Sequence, residues 1–281
     1  MQVAISLKHL KLIFFIVLQF TIFNCKSQGI LLHNAFAHND YWHKRPLFDA
    51  LDNGFSHIEA DIFLRNKKLI VAHILPRFKK KRTLEDLYLK PLQECISGKN
   101  KDIPFPLYPL TLMIDIKSDA NKTYASLNEL LQKYKSILSS YDNGKVTTRQ
   151  LTIVITGHKP YHVIQKQQQR LVFLDEDLMK VSEDTLSTGI YQTASCKYST
   201  LLNWDGNGEM PDQEKTKLCR YVELAHRYNK KVRLWASPES KSVWTELLEC
   251  GVDLINTDQL VQLRKFLLLL QQTTFAKTES K

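Results

Sequence analysis

The chain has 281 residues, 43% hydrophobic and 24% charged, with a formal net charge of +10. That composition supports a substantial buried core and excludes a disordered or low-complexity chain. The basic balance fits either an anionic partner or simply a basic surface, and charge alone favours the second; the basic residues are dispersed and form no nucleic-acid motif, so no nucleic acid is expected as a partner.

The first segment reads as an export signal. Lys8 and Lys11 precede LIFFIVLQFTIF, a basic start followed by an apolar run too short to span a membrane comfortably. Cys25 follows Phe23 and Asn24, where a lipoprotein signal places small residues. A lipid anchor at Cys25 and ordinary cleavage near Ser27 or Gln28 therefore both stay open. Residues 1–28 are taken as the signal, and the mature protein is expected to be periplasmic, secreted or lipid-anchored at the cell surface. The remaining cysteines, Cys95, Cys196, Cys219 and Cys250, form no CxxC. A disulfide such as Cys196–Cys219 and four separate buried thiols are both compatible with them.

From residue 30 onward, short apolar runs alternate with amphipathic stretches. Strands are predicted at 30–37, 57–63, 110–116, 151–156, 170–175, 189–194, 231–236 and 252–257. Helical patterns lie between them: PLFDALDN, TLEDLYLKPLQECI with Thr83 as N-cap, YASLNELLQKYKSIL, EKTKLCRYVELAHRYN, SKSVWTELLEC and QLVQLRKFLLLLQ. Eight such alternations predict an α/β fold, a TIM (β/α)8 barrel over 29–272, with an open doubly wound sheet as runner-up. LIVAH at 69–73 follows its strand after only RNKK, too short for a crossover helix, so it is expected to fold back as a small hairpin. Residues 273–281 read as a flexible tail.

Glu59 and Asp61 alternate with Ala60, which sends both side chains to one face of the second strand. On the third strand Asp115 and Lys117 share a face in the same way. His38 ends the first strand and His73 ends the hairpin. One barrel mouth thus receives three carboxylates, two histidines and a lysine. Carboxylates crowded in a low-dielectric site can share a divalent cation, and three hard oxygen ligands suit Mg²⁺ or Ca²⁺. The opposing account pairs each acid with a basic residue or leaves it at a wet edge. It is preferred for a lone ExD but not for this set at successive strand ends.

The order AHND, GFSHIEADI, a hairpin ending VAH, IDIK, then RLWA and INTD resembles the glycerophosphodiester phosphodiesterase and phosphatidylinositol-specific phospholipase C superfamily. NDYWHKRPLFDALDNGF and RTLEDLYLKPL are most similar to its branch containing the altered inheritance of mitochondria protein 6 proteins. The resemblance implies a TIM barrel with catalytic His38 and His73, metal ligands Glu59, Asp61 and Asp115, phosphate contact from Lys117, and Trp235 lining the site. Asn39-Asp40 stands where the superfamily has Arg-Gly, so Asn39 and Arg82 are added as candidate phosphate-binding residues. The expected activity is metal-dependent hydrolysis of a glycerophosphodiester or phospholipid-type substrate. Two alternatives accompany it: sphingomyelinase-D-like cyclisation of a lysophospholipid, and a non-catalytic surface-attached binding barrel.

Overall fold

A computed structural model describes residues 30–74, 82–99, 109–181 and 189–279, with side chains to residue 273. The expected export segment, residues 75–81 just before Arg82, and the last two residues lie outside the described residues. Eight strands hydrogen-bond in parallel and close on themselves: β1 (Leu32–Ala37), β2 (Phe55–Arg65), β4 (Leu110–Ile116), β7 (Leu151–Gly157), β9 (Phe173–Asp177), β10 (Tyr191–Lys197), β11 (Lys231–Trp235) and β12 (Leu254–Thr257). The β1–β2 and β1–β12 pairings complete the ring. All eight predicted strands are present, and the closed TIM barrel rather than the open sheet is the fold.

Alternation along each strand divides the apolar residues into two cores. On β4, Leu112, Ile114 and Ile116 join the large outer core with the helices, whereas Met113 turns inward. Inside the barrel Met113 meets Phe36, Val154, Phe173 and Leu254, a packed plug beneath the mouth. The hairpin strand β3 (Lys68–Val71) runs antiparallel to β2. Its two-residue turn holds Asn66 and Lys67 at φ 49° and 61°, the paired left-handed conformation of a tight hairpin. A three-stranded sheet, β5 (Ser140–Asp142), β6 (Lys145–Thr147) and β8 (Gln169–Arg170), was not anticipated because its strands are two or three residues long. It packs Tyr141 against the interior plug.

The helices are α1 (Phe48–Asp52), α2 (Lys90–Ile96), α3 (Ala120–Gln132), α4 (Tyr161–Gln165), α5 (Tyr198–Leu201), α6 (Asp212–Arg227), α7 (Lys241–Glu249) and α8 (Leu260–Glu279). Side-chain caps start several of them. Asp119 accepts from Lys122 N at α3 and Ser240 from Val243 N at α7. Thr83 Oγ1 accepts from Asp86 N, as its N-cap role requires. The backbone of 273–279 continues α8 where the sequence suggested a tail. Among the described residues no helix is long and apolar enough to cross a membrane.

The disulfide joins Cys219 of α6 to Cys250, just past α7, with Cα atoms 4.6 Å apart. Cys196 is a buried free thiol, as is Cys95. Neither alternative that the sequence left open, a Cys196–Cys219 bridge or four separate thiols, is what forms: Cys196 lies on barrel strand β10, while α6 and α7 place Cys219 and Cys250 against each other.

Candidate active site

Three short segments build one rim of the mouth. After β1 the chain turns through Asn39, held at φ 46°, a left-handed conformation that asparagine tolerates. It then forms a 3₁₀ turn over Asp40–Trp42. Asp40 is fully buried, and its Oδ2 accepts from Leu47 N and Tyr88 Oη. Burial raises its pKa to about 6 despite those bonds. This anchoring fixes His38, Asn39 and Tyr41 above the barrel wall.

On the wall, Asp61 and Asp115 are register partners on β2 and β4. With Glu59 they bring three carboxylate oxygens within 4.8 Å of one another. Lys117 Nζ lies 2.6 Å from Asp115 Oδ2 and 3.3 Å from Asp61 Oδ2. Tyr41 Oη is 2.8 Å from Asp61 Oδ2. Two buried oxygens have no hydrogen-bond partner, Glu59 Oε2 and Asp115 Oδ1. Such orphans are costly in a protein interior. Gly157, at φ 70°, permits the arrangement, since a Cβ there would lie 2.0 Å from Asp115 Oδ1. Burial raises the pKa of Asp61; the charges of Asp115 and Glu59 add to this, and Lys117 and the Tyr41 hydroxyl oppose it.

The two histidines flank these acids. Ala72 N donates to Asp61 O, which sets the hairpin end beside β2 and brings His73 Nδ1 to 3.0 Å from Asp61 Oδ2. Trp42 packs edge-on against the His73 ring. His38 Nδ1 meets Asp258 Oδ1 at 2.8 Å, and its Nε2 lies 3.6 Å from Glu59 Oε2. Burial opposes protonation of His38, but the Asp258 hydrogen bond and the Glu59 and Asp258 charges outweigh it, so its pKa is raised.

Arg233 is the buried counter-charge under the rim, only 3% exposed. Its Nη1 reaches Glu59 Oε1 at 3.3 Å and Asn256 Oδ1 at 3.1 Å, and its Nε reaches Ser195 Oγ at 3.3 Å. The guanidinium engages one oxygen of Glu59 and leaves the other facing the acid cluster.

The structure therefore brings together His38, His73, Glu59, Asp61, Asp115 and Lys117. Asn39 is nearby but only 4% exposed, with its amide engaged by Tyr41 and His38. It orients neighbours rather than facing the mouth. Arg82 donates to the Tyr41 carbonyl, bracing the same loop. Trp235 stands across the mouth, 40% exposed. Sequence reasoning missed Tyr41, Asp258 and Arg233. Arg233 had a usable signal: a charged residue two positions before Trp235 on a barrel strand must point inward. Asp258 immediately follows strand β12, the position from which barrels present functional groups.

A closed barrel with an acid cluster and paired histidines at its C-terminal mouth defines a phosphodiesterase-type TIM barrel. A solved glycerophosphodiester phosphodiesterase from Parabacteroides distasonis shares this fold, with a TM-score of 0.50 and 13% identity over 85% of this chain and 98% of that one. The AIM6-like phosphodiesterase domain profile matches residues 25–175, and the chain belongs to that family. Altered inheritance of mitochondria protein 6 of Eremothecium gossypii is 29% identical over 271 residues, covering 84% of this chain and 70% of that protein. Its homolog in Arthroderma benhamiae is 26% identical over 260 residues, covering 83% of each.

Proposed function

We propose that the protein is a metal-dependent phosphoric diester hydrolase acting on a glycerophosphodiester or phospholipid-type substrate at this rim. The observation that carries the reading is the pair of orphaned, buried oxygens, Glu59 Oε2 and Asp115 Oδ1, within a cluster of three carboxylates. Lys117 and Arg233 already engage the other oxygens of these two acids, so the orphaned ones suit a divalent cation. Glu59, Asp61 and Asp115 would hold it, and their hard donors fit Mg²⁺ or Ca²⁺. A bound cation would supply positive charge to the non-bridging phosphoryl oxygens.

The chain's own groups supply the proton transfers. One imidazole takes the proton of the attacking water as its oxygen bonds to phosphorus. The other gives a proton to the alcohol oxygen as its bond to phosphorus breaks. Asp258 and Asp61 each hold one imidazole by Nδ1, which turns both Nε2 atoms away from their supporting carboxylates. Lys117 adds fixed positive charge beside the phosphate. The cysteine bridge and the N-terminal sequence support an exported location, since disulfides persist in oxidising compartments. Attachment to a membrane surface through Cys25 would place the barrel near lipid substrates.

The test is cleavage of a panel of glycerophosphodiesters and lysophospholipids, with Mg²⁺, Ca²⁺ or chelator. Turnover abolished by chelator and reduced about 100-fold or more in Glu59→Gln and His38→Ala is expected. Near-normal turnover by folded Glu59→Gln would remove the metal assignment. Phosphorus NMR of the products separates an open monoester from a cyclic phosphate, the product expected if the substrate's own hydroxyl attacks.

A further inference from the structure

Arg233 sits on the interior plug, its guanidinium carbon 4.5 Å from the centre of the Phe36 ring. From there it stands between two buried acids on different walls of the barrel, Glu59 of β2 and Asp175 of β9. Its contact with Glu59 is direct but slight. A guanidinium can grip a carboxylate through two parallel N–H bonds. Here one nitrogen, Nη1, reaches one oxygen, Oε1, at 3.3 Å, and Glu59 Oε2 is left without a hydrogen-bond partner.

Ser195 accounts for this restraint. It is the register partner of Arg233, and its Oγ lies 3.3 Å from Arg233 Nε. The same oxygen lies 2.8 Å from Asp175 Oδ1. An arginine only donates and an ionised carboxylate only accepts, so the single hydroxyl proton goes to Asp175 and a lone pair faces Nε. Asp175 is itself fixed: it is 2% exposed, and Thr156 and Thr193 donate to it as well. Its negative charge polarises the Ser195 hydroxyl, which holds Nε on the β10 side.

We infer that Asp175 and Ser195 are positioning residues for the cation: together they hold the Arg233 guanidinium back from Glu59, which keeps Glu59 Oε2 free to serve as a ligand. Without the hydroxyl, Nε loses its acceptor in a buried site. The guanidinium then turns to grip Glu59 through both oxygens, and the arginine competes with the ion for the same carboxylate. The inference rests on the metal-dependent reading, since it assigns what these residues do for a cation held by Glu59, Asp61 and Asp115.

Mn²⁺, an ion that suits carboxylate ligands, supplies a test without substrate. Its binding is read from the electron paramagnetic resonance signal of the free ion. Ser195→Ala alters neither a ligand nor a charge, yet it is expected to weaken Mn²⁺ binding about tenfold or more, as loss of a group that orients a metal ligand does. Ser195→Thr keeps the hydroxyl and has room for its methyl in the cavity of about 430 Å³ that Ser195 lines, so it should restore binding. Asp175→Asn should weaken binding on its own and add little in the Ser195→Ala background, the coupling expected of residues that act in series. Thr193→Val, which removes a different donor to Asp175, should leave the affinity near that of the wild type. Circular dichroism at the titration temperature checks that each variant is folded, and if Ser195→Ala is not, Asp175→Asn against Thr193→Val makes the same comparison. Wild-type affinity in folded Ser195→Ala, or an equal loss in Thr193→Val, would overturn the inference and leave the metal reading standing. Failure of the wild type to take up Mn²⁺ would instead remove the metal reading, and the inference with it.

Discussion

His38 and Asp258 are 220 residues apart in the chain, yet Nδ1 of one lies 2.8 Å from Oδ1 of the other. Barrel closure makes this contact: β1 pairs with β12, and His38 N donates to the Thr257 carbonyl. Asp258→Asn removes a hydrogen-bonding charge that raises the His38 pKa, while the burial that lowers it remains. The His38 pKa should therefore fall, and the corresponding limb of the pH–rate profile should move to lower pH. Turnover should drop about 100-fold, the lower end of what a positioned acid–base group contributes. Histidine NMR titration checks the shift independently of rate.

Arg233 and Glu59 form a buried pair, so truncating the arginine strands its partner. Arg233→Met should cost roughly 3–5 kcal/mol in the metal-free protein. Adding Mg²⁺ or Ca²⁺ should recover more stability than in the wild type, because the cation then compensates an unbalanced carboxylate. Thermal unfolding with and without cation measures both effects, and equal cation-induced shifts in the two proteins would contradict the prediction.

Two buried groups respond to acid in opposite directions. His57 is held neutral: burial first, then the charges of Lys231 and His33, lower its pKa to about 3. Below pH 6.5 the unfolded chain binds a proton that folded His57 refuses, so stability falls as pH drops, by about 3 kcal/mol at pH 4. Asp40 behaves in reverse. Its folded pKa of about 6 exceeds the usual 3.8, so its contribution is present in acid and lost as pH rises through 6. The two effects largely offset each other between pH 4 and 6. His57→Gln should therefore become more stable relative to wild type as the pH is lowered from 6.5 to 4, as measured by urea unfolding at each pH.

The Cys219–Cys250 bridge spans 31 positions between two packed helices. Chain-entropy reasoning gives it about 3–4 kcal/mol. Cys219→Ser with Cys250→Ser should lower the melting temperature by a corresponding amount, and reductant should lower the wild type's but not the variant's.

The barrel was legible because its parallel strands are largely apolar runs, most of them followed by an amphipathic helical stretch. The acid cluster was legible because Glu59 and Asp61 are two residues apart on one strand and Asp115 sits at the matching height on the next. Its supports were not. Tyr41, Asp258 and Arg233 come from distant segments, and nothing local distinguishes a tyrosine bound to Asp61 from any other buried tyrosine. The setting of Asn39 was hidden for the same reason: its neighbours, not its type, engage its amide. The cysteine pairing depended on how α6 and α7 pack, which residue spacing does not encode.

The β2–β3 hairpin divides the two imidazoles between different kinds of support. His38 is seated on the barrel wall, whose strands are each pinned on both sides, whereas His73 is carried by a ribbon at the end of the strand order. Insertions or deletions beyond His73 can alter the reach of that ribbon without disturbing the wall or its carboxylates. Changes in that ribbon would thus reach one edge of the mouth while leaving Glu59, Asp61 and Asp115 where the paired strands β2 and β4 set them.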